Sequence, residues 1–363
     1  MRVVVLGGSG NFGARIVRAL QGDATIDLVS AGRRAAPVPG APSVPVSVLD
    51  IAAPEFPAQL RALNPELLIH CVGPFQGQDY RVAEAALAAR AHYLDLADGR
   101  EFVTRFAETL TPAALRAGRV AVTGASTLPA LSAAVIERLR EPLQELESIE
   151  IAIAPGQRAP RGIATLAAVF SYLGRPFLVW RGGQWQTVWG WMDLRRTRFA
   201  FGTRWAAACD VPDLALLPER FPELRSVRFH AALEMGVQHL VLWALAAWRR
   251  MGLPLRVERW AESLNRCAGV LDRFGGEWGG MNVSVVGADS AGRRLRRTWQ
   301  LTAPALNGPE IPCLAAILLA RRLARGMIPP AGAFPCVGFL TLAEFLPQFE
   351  RWNITTRIEE TDA

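Results

Sequence analysis

Apolar and polar residues alternate along the first third of the chain in a pattern that predicts strand and helix in turn. Short apolar runs, typical of buried parallel strands, are separated by segments whose apolar residues recur every three or four positions. The predicted strands span residues 2–6, 26–31, 44–48, 67–72, 93–97 and 120–123. Such alternation predicts a doubly wound parallel sheet with right-handed crossovers.

Capping residues predict the limits of several helices. One helix is predicted over 80–90, and another begins with Thr111 as N-cap and Pro112 in its first position and stops at Gly118. A helix over 128–140 then closes the alternating region.

Beyond residue 140 the strands lose their regular alternation with helices. Strands are predicted at 148–154, 177–191, 227–233, 283–286 and 298–302, and helices at 164–172, 237–250, 257–267 and 311–324. The pattern predicts an inserted α+β domain with a largely antiparallel sheet. We expect a nucleotide domain over 1–127, a substrate and dimerisation domain over 128–310, and a segment over 311–363 that packs back on the first domain.

A glycine-rich turn joins the first strand to the first helix. Gly8 is expected to allow the sharp turn, Gly10 the close approach of a pyrophosphate, and Gly13 the packing of the helix. The unpaired N–H groups of the helix then face the phosphates. The residues predicted to bind a dinucleotide here are Gly7, Gly8, Ser9, Gly10, Asn11, Phe12 and Gly13.

Arginines follow the second predicted strand at the place that distinguishes NAD from NADP. Arg33 comes about 20 positions after Gly13, where an NAD site usually has an acidic residue, and Arg34 follows it. A guanidinium group suits a 2′-phosphate, so we expect NADP(H); the alternative is that two arginines simply end a strand. Asp50, after the third strand, is a candidate cofactor contact or a turn residue.

The ends of the fourth and fifth strands flank the crevice where a parallel sheet binds its ligand. Gly73, Pro74 and Phe75 are expected to border the nicotinamide ribose. Tyr93 and Asp98 are the candidate proton donors, because they lie beside the same crevice.

Charge and composition exclude several kinds of chemistry. The 363-residue chain is 51% hydrophobic and 20% charged, with a formal net charge of +7, and its basic residues are all arginine. Without lysine, no Schiff base, lysine general base or P-loop lysine is available. The basic run 293–297 follows a turn and resembles a solvated hairpin tip, so no nucleic-acid partner is expected.

Cysteine usage and hydropathy predict a cytoplasmic protein. The five cysteines are scattered, with neither metal-ligand spacing nor a disulfide framework, and the apolar start ends in glycines too early for a signal peptide. No metal site is predicted. The apolar stretch 237–248 is too short to span a bilayer and predicts a buried or interfacial amphipathic helix, which leaves peripheral membrane contact open.

As a set and in this order, the motifs GGSGNFG, HCVGPFQG, HYLDLADG and TGASTLPAL resemble the saccharopine dehydrogenase-like family of NADP-binding oxidoreductases. The resemblance covers about the first 140 residues well, the middle in outline and the tail weakly. It implies an N-terminal Rossmann domain, an inserted domain that covers the nicotinamide, and hydride chemistry on an imine, a secondary amine or an activated double bond. Asp98-Gly99 replaces the Gly-Glu pair of many relatives, and the lack of lysine argues against saccharopine as the substrate.

Tryptophan is concentrated in the middle third of the chain, at positions such as 180, 185, 189, 191 and 205. Most of these residues belong in a core or a subunit interface, and together they favour an apolar small-molecule substrate and a homodimer. We therefore expect an NADPH-dependent reductase of an imine or an activated C=C. The alternative is a non-catalytic NADPH-binding sensor or assembly protein on the same scaffold.

Overall fold

A computed structural model describes residues 1–160, 162–252, 266 and 268–363, and divides the chain into two compact units. Unit 1 comprises Met1–Leu131 and Glu310–Leu340, and unit 2 comprises Ser132–Pro309 and Thr341–Ala363. Most of the second unit is therefore inserted between the two segments of the first, and its last segment follows them in the chain. The helix predicted over 257–267 lies largely outside the described residues.

Unit 1 is built on a seven-stranded parallel sheet of order β15-β6-β5-β4-β1-β2-β3. Its strands are β1 (Arg2–Leu6), β2 (Asp27–Gly32), β3 (Val46–Val48), β4 (Leu67–His70), β5 (His92–Asp95), β6 (Val120–Thr123) and β15 (Gly332–Pro335). Its helices are α1 (Gly13–Leu20), α2 (Phe56–Ala62), α3 (Arg81–Ala88), α4 (Arg100–Ala117) and α9 (Ile311–Ala324). The doubly wound parallel sheet predicted from the sequence is confirmed.

Helix α4 differs from the prediction at its start. It runs unbroken from Arg100, so Thr111 lies inside it and donates its hydroxyl to the carbonyl of Ala107 at 2.6 Å instead of capping a new helix. A threonine can satisfy its hydroxyl on the preceding turn in this way, which makes its capping signal ambiguous. The predicted stop at Gly118 is confirmed by its left-handed φ of 63°.

Unit 2 contains a seven-stranded mixed sheet of order β10-β11-β12-β7-β13-β14-β16 and a separate two-stranded hairpin, β8-β9. All neighbours in the large sheet are antiparallel except β12 and β7. The strands are β7 (Leu143–Ala154), β8 (Pro176–Arg181), β9 (Gln184–Trp189), β10 (Arg195–Phe199), β11 (Gly202–Ala208), β12 (Ser226–Ala232), β13 (Trp278–Asp289), β14 (Arg294–Pro304) and β16 (Thr355–Asp362). The helices are α5 (Ser132–Arg140), α6 (Ile163–Tyr172), α7 (Asp213–Arg220), α8 (Gly236–Arg250) and α10 (Leu342–Arg351). The α+β class with a largely antiparallel sheet is confirmed.

Several elements of unit 2 correct the predictions in detail. The strand predicted over 177–191 is a hairpin, because Gly182 and Gly183 both take positive φ, at 60° and 77°, and turn the chain back. Residues 341–363 belong to unit 2 and not to the first unit as expected. The cause is the pairing of β16 with β14 along Leu295–Thr302, a contact far apart in sequence.

A buried carboxyl group joins α5 to α7 inside unit 2. Asp213 is only 1% exposed and accepts a hydrogen bond from the hydroxyl of Ser132 through Oδ1, while Oδ2 has no hydrogen-bond partner among the described residues. Burial raises the pKa of Asp213 to about 7.

We expect Asp213 to make unit 2 less stable as pH rises. A carboxyl with a pKa of about 7 when folded and 3.8 when unfolded favours the folded state below that range, and this advantage is lost as pH rises through 7. Asp213→Asn should flatten this dependence, with a relative gain on the order of 1–4 kcal/mol between pH 4 and pH 8. Urea unfolding at several pH values measures it, with exposed Asp362→Asn as the control. Equal pH slopes for wild type and Asp213→Asn would show the prediction to be wrong.

Candidate functional site

The turn between β1 and α1 is held tightly against the neighbouring strands. Gly7 has a φ of +81°, and its N–H donates to the carbonyl of Ala31 in β2 at 2.7 Å. The N–H of Gly10 then donates back to the carbonyl of Gly7 at 2.9 Å. The glycine that requires a left-handed conformation is therefore Gly7, whereas the sequence pattern assigned the sharp turn to Gly8.

Gly8 and Gly13 are glycines because no side chain fits. A Cβ on Gly8 would lie 2.4 Å from Oγ of Ser30 in β2, and one on Gly13 would lie 2.1 Å from the carbonyl oxygen of Gly7. The turn is thus packed between β2 and the first residue of α1. This packing fixes the direction of the backbone amides that follow.

These amides form a set of open donors at the start of α1. Among the described residues, the N–H groups of Ser9, Asn11, Phe12 and Gly13 have no hydrogen-bond acceptor. Ser9 is exposed and Asn11 and Phe12 are half-buried, so a ligand can reach the turn. Convergent amides at the positive end of a helix dipole make a seat for an anion. The residues predicted to bind a dinucleotide are thereby brought together.

A buried ion pair that the sequence did not predict supports the same turn. Glu310, only 5% exposed, lies 3.0 Å from Nε of Arg15 and 3.5 Å from a terminal nitrogen of Arg18. Arg15 in turn donates to Oδ1 of Asn11 at 2.7 Å. Arg15 and Glu310 are far apart in the sequence, so no local pattern could predict the pair.

Arg33 and Arg34 follow directly after β2 and both are exposed. Within the described part of the chain neither side chain makes a hydrogen bond or an ion pair, although the carbonyl of Arg34 accepts the N–H of Ala36 at 2.9 Å. The carbonyl of Ala31, near the end of β2, accepts from the amides of Gly7 and Gly8, at 2.7 and 3.4 Å, so the arginines begin beside the turn. No Asp or Glu occurs between Asp27 and Asp50. The end of β2 therefore offers cationic side chains without a competing carboxylate.

Asp50 has the geometry of a turn residue. Its Oδ1 accepts the N–H of Ala52 at 3.0 Å, and its carbonyl accepts the N–H of Ala53 at 3.1 Å. The carboxylate is half-buried and already engaged in this turn. The sequence left Asp50 as either a cofactor contact or a turn residue, and these hydrogen bonds are those of a turn residue.

The segment after β4 carries Gly73, Pro74 and Phe75. Gln78 donates its side-chain amide to the carbonyls of Val72 and Pro74, at 2.8 and 2.6 Å, which fixes the backbone of the segment. Phe75 is only 4% exposed. Its ring points into the unit, so only its backbone and the more exposed Gly73 and Pro74 face outward.

Tyr93 does not reach the crevice. It is fully buried, its hydroxyl lies 3.0 Å from Nδ1 of His70, and its ring stacks on Phe106 with centroids 5.9 Å apart. Burial lowers the pKa of His70 to about 3 and raises that of Tyr93 well above its usual value. The expectation of a proton donor at Tyr93 is contradicted by this burial, because β5 turns the side chain toward α4.

Asp98 does reach the surface. Its Oδ1 accepts the side-chain amide of Gln76 at 3.2 Å. The next residue, Gly99, packs so closely on this segment that a Cβ there would lie 3.3 Å from the backbone of Phe75 and Gln76. The structure therefore brings Asp98 beside Phe75 and Gln76, and the residue is exposed.

Asp95 ties β5 to β6 underneath these loops. Its Oδ1 accepts from the N–H of Ala97 at 2.9 Å, the hydroxyl of Thr123 at 2.9 Å and the N–H of Gly124 at 2.8 Å. The residue is fully buried, which raises its pKa to about 6. These donors partly offset the cost of burying a carboxylate. Asp95 thus positions the strand ends.

The chain has the fold of solved dehydrogenases of the saccharopine type. It is similar to an apo saccharopine dehydrogenase (L-Glu forming) from Saccharomyces cerevisiae, with a TM-score of 0.68 and 12% identity over 99% of each chain. It is also similar to the homospermidine synthase of Legionella pneumophila solved with NAD, with a TM-score of 0.64 and 12% identity over 100% of this chain and 92% of the other. The resemblance predicted from the motifs is confirmed at the level of the fold.

No family model matches the sequence, and no curated protein does so either. At this identity the likeness between the structures extends to the fold alone.

We expect Gly13→Ala to destabilise unit 1, because its Cβ would lie 2.1 Å from the Gly7 carbonyl, a backbone atom that cannot turn aside. The expected loss is about 1–3 kcal/mol in the free energy of unfolding. Urea denaturation measures it. The matched control is Gly308→Ala, where nothing lies within 4 Å of the new Cβ. Equal stability of the two variants would contradict the tight packing of the turn.

Proposed function

We propose that the protein is an NADPH-dependent oxidoreductase of the saccharopine dehydrogenase-like type that reduces an imine or an activated C=C in a rather apolar substrate. The observation that carries the proposal is the set of open amides at the start of α1, with unpaired guanidinium groups beside it at the end of β2. The amides suit a diphosphate, and the guanidinium groups suit a further phosphate.

The amides of Ser9, Asn11, Phe12 and Gly13 would hold the pyrophosphate. Support comes from the geometry of the turn: a Cβ at Gly8 or Gly13 would collide with protein atoms, and the backbone is left free to approach a ligand. The homospermidine synthase of similar fold was solved with NAD, which supports a nicotinamide dinucleotide as the ligand class.

Arg33 and Arg34 would hold the 2′-phosphate. Each guanidinium presents several donors in a planar fork that matches a phosphate. An NAD site would instead benefit from a carboxylate that accepts the ribose hydroxyl, and the stretch between Asp27 and Asp50 contains none. This combination favours NADPH over NADH.

When bound, the nicotinamide supplies a hydride, and the protein must orient the acceptor and provide a proton. We assign the proton to Asp98, since Tyr93 is buried against His70 and is not reachable by a substrate. Gln76, which donates to Asp98, would orient the carboxyl. Gly73 and Pro74 would border the nicotinamide ribose. No lysine is present to share this task.

We further propose that unit 1 binds the coenzyme and unit 2 the substrate. Support for an apolar substrate comes from the aromatic surface of unit 2, where Trp205, Trp248 and Trp278 are 42%, 51% and 48% exposed. Exposed indoles at this density are more typical of a binding surface than of an ordinary solvated face.

The coenzyme assignment is tested with Arg33→Gln and Arg34→Gln together. Losing charge-assisted hydrogen bonds to one phosphate should weaken NADPH binding roughly 10- to 100-fold and leave NADH binding nearly unchanged. Nicotinamide fluorescence titrations measure both dissociation constants. Arg116→Gln, an exposed arginine of α4, is the control and should change neither.

Wild-type protein that binds NADH as tightly as NADPH would overturn the preference. Tight NADPH binding without oxidation by any imine, enone or acyl substrate would instead favour the alternative, a non-catalytic sensor or assembly protein.

Asp98→Asn tests the proton assignment. An amide cannot supply the proton, so kcat should fall roughly 100-fold or more while the dissociation constant of NADPH stays within about two-fold. Stopped-flow loss of nicotinamide absorbance, with Gln76→Ala as a second variant, separates the proton donor from its positioning partner. An unchanged kcat and pH profile in Asp98→Asn would assign the proton to water.

A further inference from the structure

Glu310, the residue before α9, carries a buried carboxylate that lies between two arginines of α1. Its Oε1 is 3.0 Å from Nε of Arg15 and 3.5 Å from Nη2 of Arg18. Removing a carboxylate from water costs free energy, and cations at these distances offset part of that cost. The positions of the three side chains are therefore coupled.

Arg15 connects Glu310 to the glycine-rich turn. Its Nη1 donates to the backbone carbonyl of Asn11 at 2.5 Å and to Oδ1 of the same residue at 2.7 Å. The carbonyl of Asn11 and the N–H of Phe12 belong to one planar trans peptide unit, so they point in opposite directions. By holding the carbonyl, Arg15 fixes the direction of the Phe12 N–H, which has no acceptor among the described residues.

Arg18 connects the same carboxylate to the loop that follows β2 and carries the two candidate phosphate-binding arginines. Its Nη1 donates to the carbonyl of Pro39 at 3.3 Å. Its side chain also packs on Gly40, which has a φ of +78°, so closely that a Cβ there would lie 2.7 Å from Cδ of Arg18. The loop is closed at this point, because the N–H of Ala41 donates to the carbonyl of Val38 at 3.0 Å and both residues are buried.

Helix α9 contacts α1 at other points as well. Arg321 donates to the carbonyl of Ala19 at 2.8 Å, and the buried thiol of Cys313 donates to the carbonyl of Phe12 at 3.5 Å. These contacts hold the two helices together independently of Glu310. The ion pairs of Glu310 differ from them, because each of its arginines continues to a backbone carbonyl of the candidate coenzyme site.

We propose that Glu310 is a positioning residue that sets both the affinity of the site for a dinucleotide and its preference for NADPH. Through Arg15 it orients the amides that take the pyrophosphate. Through Arg18 it holds the loop whose arginines take the 2′-phosphate. The inference rests on the proposed function, and its physical basis is preorganisation: donors that are already in place lose less conformational freedom when the ligand binds.

The two arginines allow the two effects to be separated. NADPH and NADH share the pyrophosphate, so Arg15→Met should weaken the binding of both coenzymes alike, roughly ten-fold. Only NADPH has the 2′-phosphate, so Arg18→Met should weaken NADPH roughly five-fold and leave NADH within about two-fold. Glu310→Gln should weaken both coenzymes and lower the ratio of NADPH to NADH affinity as well.

Nicotinamide fluorescence titrations of the full chain with NADPH and NADH measure these dissociation constants. The matched control is Asp23→Asn, because Asp23 lies 3.9 Å from Arg321 of α9 but has no printed contact with the turn or the loop. It should change neither dissociation constant. If Glu310 acts through Arg18, then Glu310→Gln with Arg18→Met should lower the affinity ratio no further than Arg18→Met alone.

A merely structural role would weaken both coenzymes alike in every variant, so an unchanged affinity ratio in Arg18→Met and Glu310→Gln would overturn the inference. Tighter coenzyme binding by Glu310→Gln would also contradict it, since the carboxylate would then only compete with phosphate for the arginines. Arg18 is 36% exposed, so Arg18→Met decides the preference even if Glu310→Gln does not fold. Wild type that binds neither coenzyme would instead remove the proposed function, and this inference with it.

Discussion

The contact between the carbonyl of Gly7 and the backbone of Gly13 is the constraint on which the candidate site depends. A Cβ on Gly13 would lie 2.1 Å from the carbonyl oxygen of Gly7, so the turn and the helix can pack this closely only with glycine at position 13. In this packing the N–H groups of Ser9, Asn11, Phe12 and Gly13 have no acceptor among the described residues and are open to a ligand. The hydrogen bonds from Gly7 and Gly8 to Ala31 then place the end of β2 beside them.

Burial separates the polar residues at the strand ends into two groups, those that stabilise the fold and those that a ligand can reach. Asp95 and Tyr93 are both fully buried. Oδ1 of Asp95 accepts from the N–H of Gly124 at the end of β6, and the hydroxyl of Tyr93 lies 3.0 Å from Nδ1 of His70. Such groups need internal partners because water cannot reach them. Asp98, only a few residues further along, is exposed and remains available to a ligand.

Local sequence patterns predicted the parallel sheet well, because each strand and helix of unit 1 has its own apolar period and its own turn residues. The predictions were weaker in unit 2. Strands β10 and β11 were not predicted. β10, Arg195–Phe199, is rich in arginine, as the solvent-facing side of a strand at the edge of a sheet can be. The pairing of β16 with β14 depends on residues far apart in sequence, which no local window contains.

The sequence by itself determined the order of the first six strands of unit 1, the glycine turn and the arginines after β2, since these depend on neighbouring residues and on backbone stereochemistry. Tertiary structure alone decided that Tyr93 is buried whereas nearby Asp98 is exposed, that Glu310 supports Arg15, and that one side of α8 stays exposed. Those outcomes follow from packing among distant segments. The free energy of each outcome depends on which atoms are removed from water, and this is decided only when the chain folds.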